Sequence, residues 1–503
     1  MNNKKWFLIV ISVLFFYLFV LQLIAIWPFT IDDMYIPLRY AKNWAAGDGL
    51  VWNIGEEPVE GYSNFSFVVF ASLAIRMGWD PVIVLKLINA FSLMLSTAAV
   101  YCLSRLWFSW RLAFIPCLWM LTYRGELLWA VSGMETIFYQ ALISFALFFL
   151  LRGMGYNFYS KERTNTNILF FLIAGFLLVL AGLTRPEAPA LMIIFFGLAL
   201  INSPKRLESD YYVKLILSAL PCILLFSAYF LWRWSYYGRL FPNPVYCKAF
   251  TGFFGELDKY YLFLILPLIP LILVAIYKAR DRRHYFFWLP SLVYLVLLIN
   301  ADPISSFENR LFLPAFALLL PLAFLGLSKI IGYFIPQKDE FHYFCLLMSA
   351  FWFAFLFLKP LNLGAYRYFS LNPQRGVLLR DEMLVWLENN ISANSKVVLA
   401  DSGQIPYLSQ LHYIDSYCLN NKAMTTTLKK DMYQGLCKKI FVKKPEVLIL
   451  TSLQDKKGKL IYSPVDGCLI EHLKQDKNYA FRHVFLSYSP EYSYRYEIFT
   501  LRN

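Results

Sequence analysis

The feature that most limits the fold of this chain is a series of apolar runs, each close to the thickness of a membrane. Residues 7–27 are apolar almost without interruption. A helix needs about 20 such residues to cross the hydrocarbon, where lipid offers its backbone no hydrogen-bond partner. Further runs near 81–103, 107–123, 136–151, 168–183, 188–201, 212–232, 260–277, 285–300, 311–334 and 342–358 bring the expected number of spans to about eleven. Residues 65–75 are apolar but too short to span comfortably, and read as an interfacial or re-entrant piece. The first run is long, and no small-x-small site follows it, so it reads as a retained span and not a cleaved leader. Of 503 residues only 16% are charged, which excludes an ordinary soluble chain.

Lysine and arginine in the short loops set the expected orientation. Lys4 and Lys5, then Arg152, Lys161 and Arg163, then Lys205 and Arg206, then Lys278, Arg280, Arg282 and Arg283 fall on one side when 65–75 does not cross. That side reads as the cytoplasm. Loops 28–80, 124–135, 184–187, 233–259 and 301–310 then face outward, as does the tail from 360, and these loops hold most of the carboxylates outside the tail. The net charge of +14, set among such apolar runs, points to membrane lipids and lipid phosphates as partners and away from nucleic acid. The five histidines and eight cysteines show no zinc-binding spacing. Residues 1–359 read as the transmembrane module and 360–503 as a small soluble α/β domain. In the latter, 376–390 has helical spacing, while Lys396–Ala400 and Val447–Leu450 read as buried strands. Two of Cys418, Cys437 and Cys468 could pair if the tail is extracytoplasmic; three free thiols is the competing reading.

Chemistry-bearing residues gather in the outward loops. Asp32 and Asp33 stand where the first span ends, just before a segment, 34–46, that reads as a short interfacial helix ended by Gly47. Paired carboxylates there could supply a general base and its support, and low dielectric near the membrane raises a carboxylate pKa. A helix N-cap is the plainer reading. Tyr35 and Arg39 follow on the helix. Trp52, Asn53, Glu60, Tyr62 and Asn64 mix flat apolar faces with hydrogen-bonding groups, as a sugar requires, and as an aromatic interface belt also does. Glu135 opens a span within Ser132-Gly133-Met134-Glu135-Thr136. Arg185, Arg239, Lys248 and Arg310 are candidates to hold a lipid phosphate, since a guanidinium binds phosphate as a fork. The alternatives are an Arg185–Glu187 pair closing a turn, and rim charge snorkelling to headgroups. Asn243 lies in Pro242-Asn243-Pro244 beside them. An Asp32–Asp33 pair could also hold Mg²⁺ or Mn²⁺, though nothing in the sequence demands a metal.

These blocks, in this order, resemble the mycobacterial terminal β-arabinofuranosyltransferase family of the GT-C superfamily and its bacterial relatives. The resemblance rests on Asp32-Asp33, Arg39-Tyr40-Ala41, Gly49-Leu50-Val51-Trp52-Asn53 and Val59-Glu60-Gly61-Tyr62-Ser63-Asn64. It continues through Gly133-Met134-Glu135-Thr136, Thr184-Arg185-Pro186-Glu187, Tyr236-Tyr237-Gly238-Arg239, Asp401-Ser402-Gly403 and Ile414-Asp415-Ser416-Tyr417. It implies a helix bundle with a large first outer loop and a C-terminal soluble domain in a bacterial cytoplasmic membrane. It further implies a polyprenyl-phosphate sugar donor, a pentofuranose among the options, and an envelope glycan or glycolipid acceptor. Asp32 would be the base and Asp33 its partner. A lipid-linked-substrate transporter or flippase and an outer-face polymer ligase are the rival readings. Transport would place charges within the spans, where Lys86 is one of few.

Overall fold

The computed structural model describes residues 17, 19–160, 163–203, 209–248, 259–279, 282–299, 307–336, 340–393, 395–422, 432–487 and 492–502. Most of the expected first span, together with Lys4, Lys5, Lys161, Lys205, Arg206 and Arg280, lies outside these residues.

Helices build the larger part. Among the described residues, five are long and apolar enough to cross a membrane: Pro81–Ser104, Thr136–Gly153, Ser209–Tyr237, Phe307–Phe334 and Glu340–Phe357. Ile168–Thr184, Ala188–Ile201 and Leu268–Tyr277 are apolar and shorter. Two expected spans differ. The 107–123 run keeps only Phe114–Thr122 as helix, because turns occupy 105–113. The 260–277 run breaks into Lys259–Ile265 and Leu268–Tyr277, with Pro267 at the interruption. Phe65–Arg76 has 12 residues, about 18 Å of helix, and packs on Tyr35–Ala46 and Pro81–Ser104. Lys86 is not aimed along a pathway. Its ammonium donates to the carbonyls of Trp27 (2.6 Å) and Phe29 (3.1 Å), where the first helical segment unwinds.

At one end of the bundle the basic loops converge. Arg152 donates to the Tyr156 carbonyl, and the Arg163 and Arg283 guanidinium groups lie 4.1 and 5.6 Å from the Tyr156 ring. At the other end lie the 28–80 loop and the sheet. Tyr35–Ala46 forms the expected short helix, and Gly47, at φ +99°, ends it in the left-handed region that glycine enters without strain.

After a long helix, Leu363–Asn390, the described residues form the strands β1 (Lys396–Leu399), β2 (His412–Asp415), β3 (Val447–Asp455), β4 (Leu460–Tyr462), β5 (Tyr479–Ser487) and β6 (Tyr492–Leu501). Their order is β2-β1-β3-β6-β5, with β4 beside β3. β1 pairs in parallel with β2 and β3, while β6 runs antiparallel between β3 and β5. Leu379, Met383 and Leu387 of the long helix cover one face through Val397, Leu399, Ile449 and Ile498. On the other face Val398, Ile414, Leu448 and Leu450 join the large core that runs on into the helix bundle. Strands buried on both faces read as unbroken apolar runs, which is why β1 and β3 stand out in the sequence. Cys437 and Cys468 pair, tying Met432–Val442 to Pro464–Gln475. Cys418 pairs with Cys247, outside the tail.

Candidate functional site

A groove of about 720 Å³ opens between helices at the sheet end of the bundle. Ile193, Phe226, Phe230, Leu297 and Leu298 give it apolar walls, and Arg185, Arg233 and Arg310 line it with charge. Each arginine is held by local backbone. Arg185 leaves the helix Ile168–Thr184 in extended conformation before Pro186. Its guanidinium forks onto Glu187 (3.1 and 2.8 Å) and gives its remaining nitrogen to Glu135 at 2.8 Å. The pair expected as a turn closure is therefore present and is part of something larger. Arg310 follows two residues with positive φ, Glu308 (+48°) and Asn309 (+59°), a conformation that costs a non-glycine residue on the order of 1 kcal/mol each. The Arg124–Glu308 fork (3.0 and 2.5 Å) and the Asn309 amide donating to the Tyr123 hydroxyl (2.6 Å) hold that turn. Arg310 then reaches Glu135 at 3.3 Å.

Glu135 is buried at the start of Thr136–Gly153 and also accepts from Asn64 at 2.9 Å. Burial pushes its carboxyl up, but Arg310 and Arg185 outweigh this and hold it at about 2. Arg233 donates to Glu60 at 2.9 Å, makes a second ion-pair contact with it at 2.7 Å and donates to the Leu240 carbonyl. Here burial exceeds the pull of the arginine, and Glu60 is pushed up to about 7. Three arginines thus face three carboxylates, one of which is poised to take a proton near neutrality.

The Asp32–Asp33 turn lies against the sheet. The Asp32 carboxylate accepts from the Gly403 and Gln404 amides at 2.8 and 2.9 Å, with Arg380 Nε 3.3 Å away. Burial is the main cause that lifts its pKa to about 6; Arg380 opposes this and Asp401 adds to it. Asp33 is part-buried on the same turn. The pair is a poor seat for Mg²⁺ or Mn²⁺. The Asp32 oxygens are engaged by N–H donors and a cation, and among the described residues the two aspartates join no third metal-capable side chain.

The remaining expected ligands lie near the seam between the outer loops and the tail. Arg39 donates to the Trp52 carbonyl (2.7 Å), Asn53, Pro406 and Leu411, and its guanidinium lies over the Trp52 and Tyr413 rings. Asn53 pairs with the backbone of Tyr413. Tyr35 packs on Tyr407, Tyr62 shares a hydrogen bond with Tyr237, and Asn243 donates to the Cys418 and Leu419 carbonyls. Arg239 donates to the Lys422 carbonyl across the same seam. Lys248 ends the helix Asn243–Lys248, and its side chain lies outside the described residues. Arg233 and Arg380 are the residues sequence reasoning missed. Arg233, a lone charge in Trp232-Arg233-Trp234 at the end of an apolar run, carried a usable signal. Arg380, one of several charges on an amphipathic helix, carried none.

Residues 365–499 match a family profile described as a domain of unknown function, DUF8728. Among curated proteins there is no match. Solved structures share the fold over nearly the whole chain. ArnT from Cupriavidus metallidurans in the apo state is 12% identical, with a TM-score of 0.59 over 99% of this chain and 98% of that one. The same protein bound to undecaprenyl phosphate gives 0.57 over 96% and 97%. The archaeal oligosaccharyltransferase AglB from Archaeoglobus fulgidus, in complex with an inhibitory peptide and a dolichol-phosphate, gives 0.50 at 12% identity over 87% and 70%. The arabinofuranosyltransferase AftD from Mycobacteria gives 0.51 at 13% identity, over 96% of this chain and 39% of that one. The structural neighbours of this chain are GT-C enzymes, and its helix bundle with a C-terminal sheet has their fold.

Proposed function

We propose that this chain is a multi-pass membrane glycosyltransferase that moves a sugar from a polyprenyl-phosphate donor to an envelope glycan or glycolipid on the outer face of a bacterial cytoplasmic membrane. The carrying observation is the groove: apolar walls that suit an isoprenoid, lined with Arg185, Arg233 and Arg310, which suit its phosphate. That ArnT binds undecaprenyl phosphate and AglB a dolichol-phosphate supports the same ligand class here. In this reading Asp32 takes the proton of the acceptor hydroxyl, with Asp33 beside it. The acceptor oxygen bonds to the anomeric carbon, the bond from that carbon to the phosphate oxygen breaks, and the polyprenyl phosphate leaves with the electron pair. The arginines stabilise the charge that develops on it. The boundary near residue 360 then separates the donor-binding bundle from an outward domain.

The test is direct binding of undecaprenyl phosphate to the purified chain in nanodiscs, alongside mass spectrometry of envelope glycans from a deletion strain. Saturable binding, weakened at least about tenfold in Arg310→Ala, with loss of one sugar from the glycan, is expected. Binding unchanged in Arg185→Ala, Arg233→Ala and Arg310→Ala would remove the donor assignment. Loss of a whole polymer chain would point to a ligase.

A further inference from the structure

The geometry points to the C-terminal sheet as a working part of the active site, in which Arg380 and Asp401 position the Asp32 carboxylate for its reaction. The inference rests on the proposed role of Asp32 as base. Two elements of the tail touch this one side chain, and two more reach it through Asp401 and Arg380. The helix Gln404–Leu408 and the residue before it present two backbone amides to the carboxylate, at 2.9 and 2.8 Å. The long helix presents Arg380, 3.3 Å from one Asp32 oxygen and 4.0 Å from Asp401, which follows β1. β6 presents Tyr494 and Tyr496, whose hydroxyls donate to Asp401 at 2.8 and 2.5 Å. The Gln404 side chain donates to Asp381, the neighbour of Arg380.

Apolar packing alone would hold the sheet to the bundle, and the large shared core supplies it. A part-buried set of ions adds little to cohesion, since desolvation offsets the attraction. What such a set does supply is a fixed direction for a carboxylate. The approach leaves no slack: a Cβ on Gly403 would lie 2.1 Å from the Asp32 carbonyl oxygen and 2.4 Å from its carboxylate. Any other residue there must displace the Asp32 turn. Arg380 and Asp401 act through Asp32, so they are positioning residues.

The experiment compares Arg380→Ala, Arg380→Lys, Gly403→Ala and Tyr496→Phe in the full chain in nanodiscs, reading kcat, donor KM and binding of undecaprenyl phosphate. Arg380→Ala and Gly403→Ala are expected to lower kcat about 100-fold with lipid-phosphate binding unchanged, because the groove is built from other elements. Arg380→Lys restores part of the loss, and Tyr496→Phe lowers kcat severalfold. Wild-type kcat in both Arg380→Ala and Gly403→Ala, with Asp32→Asn inactive, overturns the positioning role and leaves the base assignment standing. Parallel loss of kcat and lipid binding, with no rescue by lysine, also overturns it by making the contact purely structural. Full activity in Asp32→Asn would instead fell the base assignment itself.

Discussion

Asp32 offers the sharpest test, because two neighbours push its titration in opposite directions. Its pKa is lifted to about 6, chiefly by burial. A base must be ionised to act, so kcat should fall on the acid side as protonation proceeds through pH 6, and be about tenfold lower at pH 5 than at pH 7. Arg380 lies 3.3 Å away and lowers the pKa; Asp401 raises it. An arginine so close typically depresses a carboxyl by about 1–3 units. Arg380→Gln should therefore move the acid limb up by about that amount, and Asp401→Asn should move it down by less than about one unit. Asp33, Tyr35, Asp381, Tyr494 and Tyr496 also face this cluster and stay constant in the comparison. The assay is single-turnover sugar transfer from a radiolabelled donor between pH 4.5 and 8.5. General loss of structure cannot shift the limb both ways. A limb that stays in place in both variants, or moves the same way in both, refutes Asp32 as the titrating base. The stability side has its own sign. A carboxyl with a folded pKa above its unfolded value contributes stability below the unfolded pKa, which is lost as pH rises through the folded one. Ionised Asp32 is thus a net cost to folding at pH 7, and Asp32→Asn should inactivate without lowering the melting temperature.

Glu60 is pushed up to about 7 and pairs with Arg233 in the groove, so undecaprenyl phosphate should bind more tightly as pH falls from 8 to 6. Glu60→Gln should bind about tenfold tighter at pH 8 and lose that dependence; isothermal titration at both values checks it. Glu135→Gln strips Arg185 and Arg310 of their shared buried carboxylate and should cost about 3–5 kcal/mol, read as a large drop in melting temperature in nanodiscs. The Cys247–Cys418 link joins Asn243–Lys248 to the loop after β2. Peptide mapping without reductant should recover one cross-linked peptide containing both cysteines, and mapping after reduction should recover two.

The legible and illegible parts of this structure divide by the range of the forces involved. Apolar runs such as 136–151 and 311–334 announce helices because a local excess of hydrocarbon decides their fate, and the short 65–75 run announces a short helix in the same way. Where a run is broken, the cause is still local but subtler: Pro267 interrupts a stretch whose composition reads as continuous. In the outer loops the residue types were legible and their intramolecular partners were not. Arg39 and Asn53 have the chemistry of a sugar site, yet they bond to Pro406, Leu411 and Tyr413, more than 350 positions away. A polar side chain buried at a seam between two parts of a chain must be hydrogen-bonded just as one at a ligand must, so type and spacing cannot separate the two. Arg380 shows the same limit from the other side. Its helix position marks it as one more surface charge, and only the return of the tail against the first loop brings it to Asp32. What the tail brings to Asp32 depends on where it docks, and docking is written in pairs of residues that no local pattern connects.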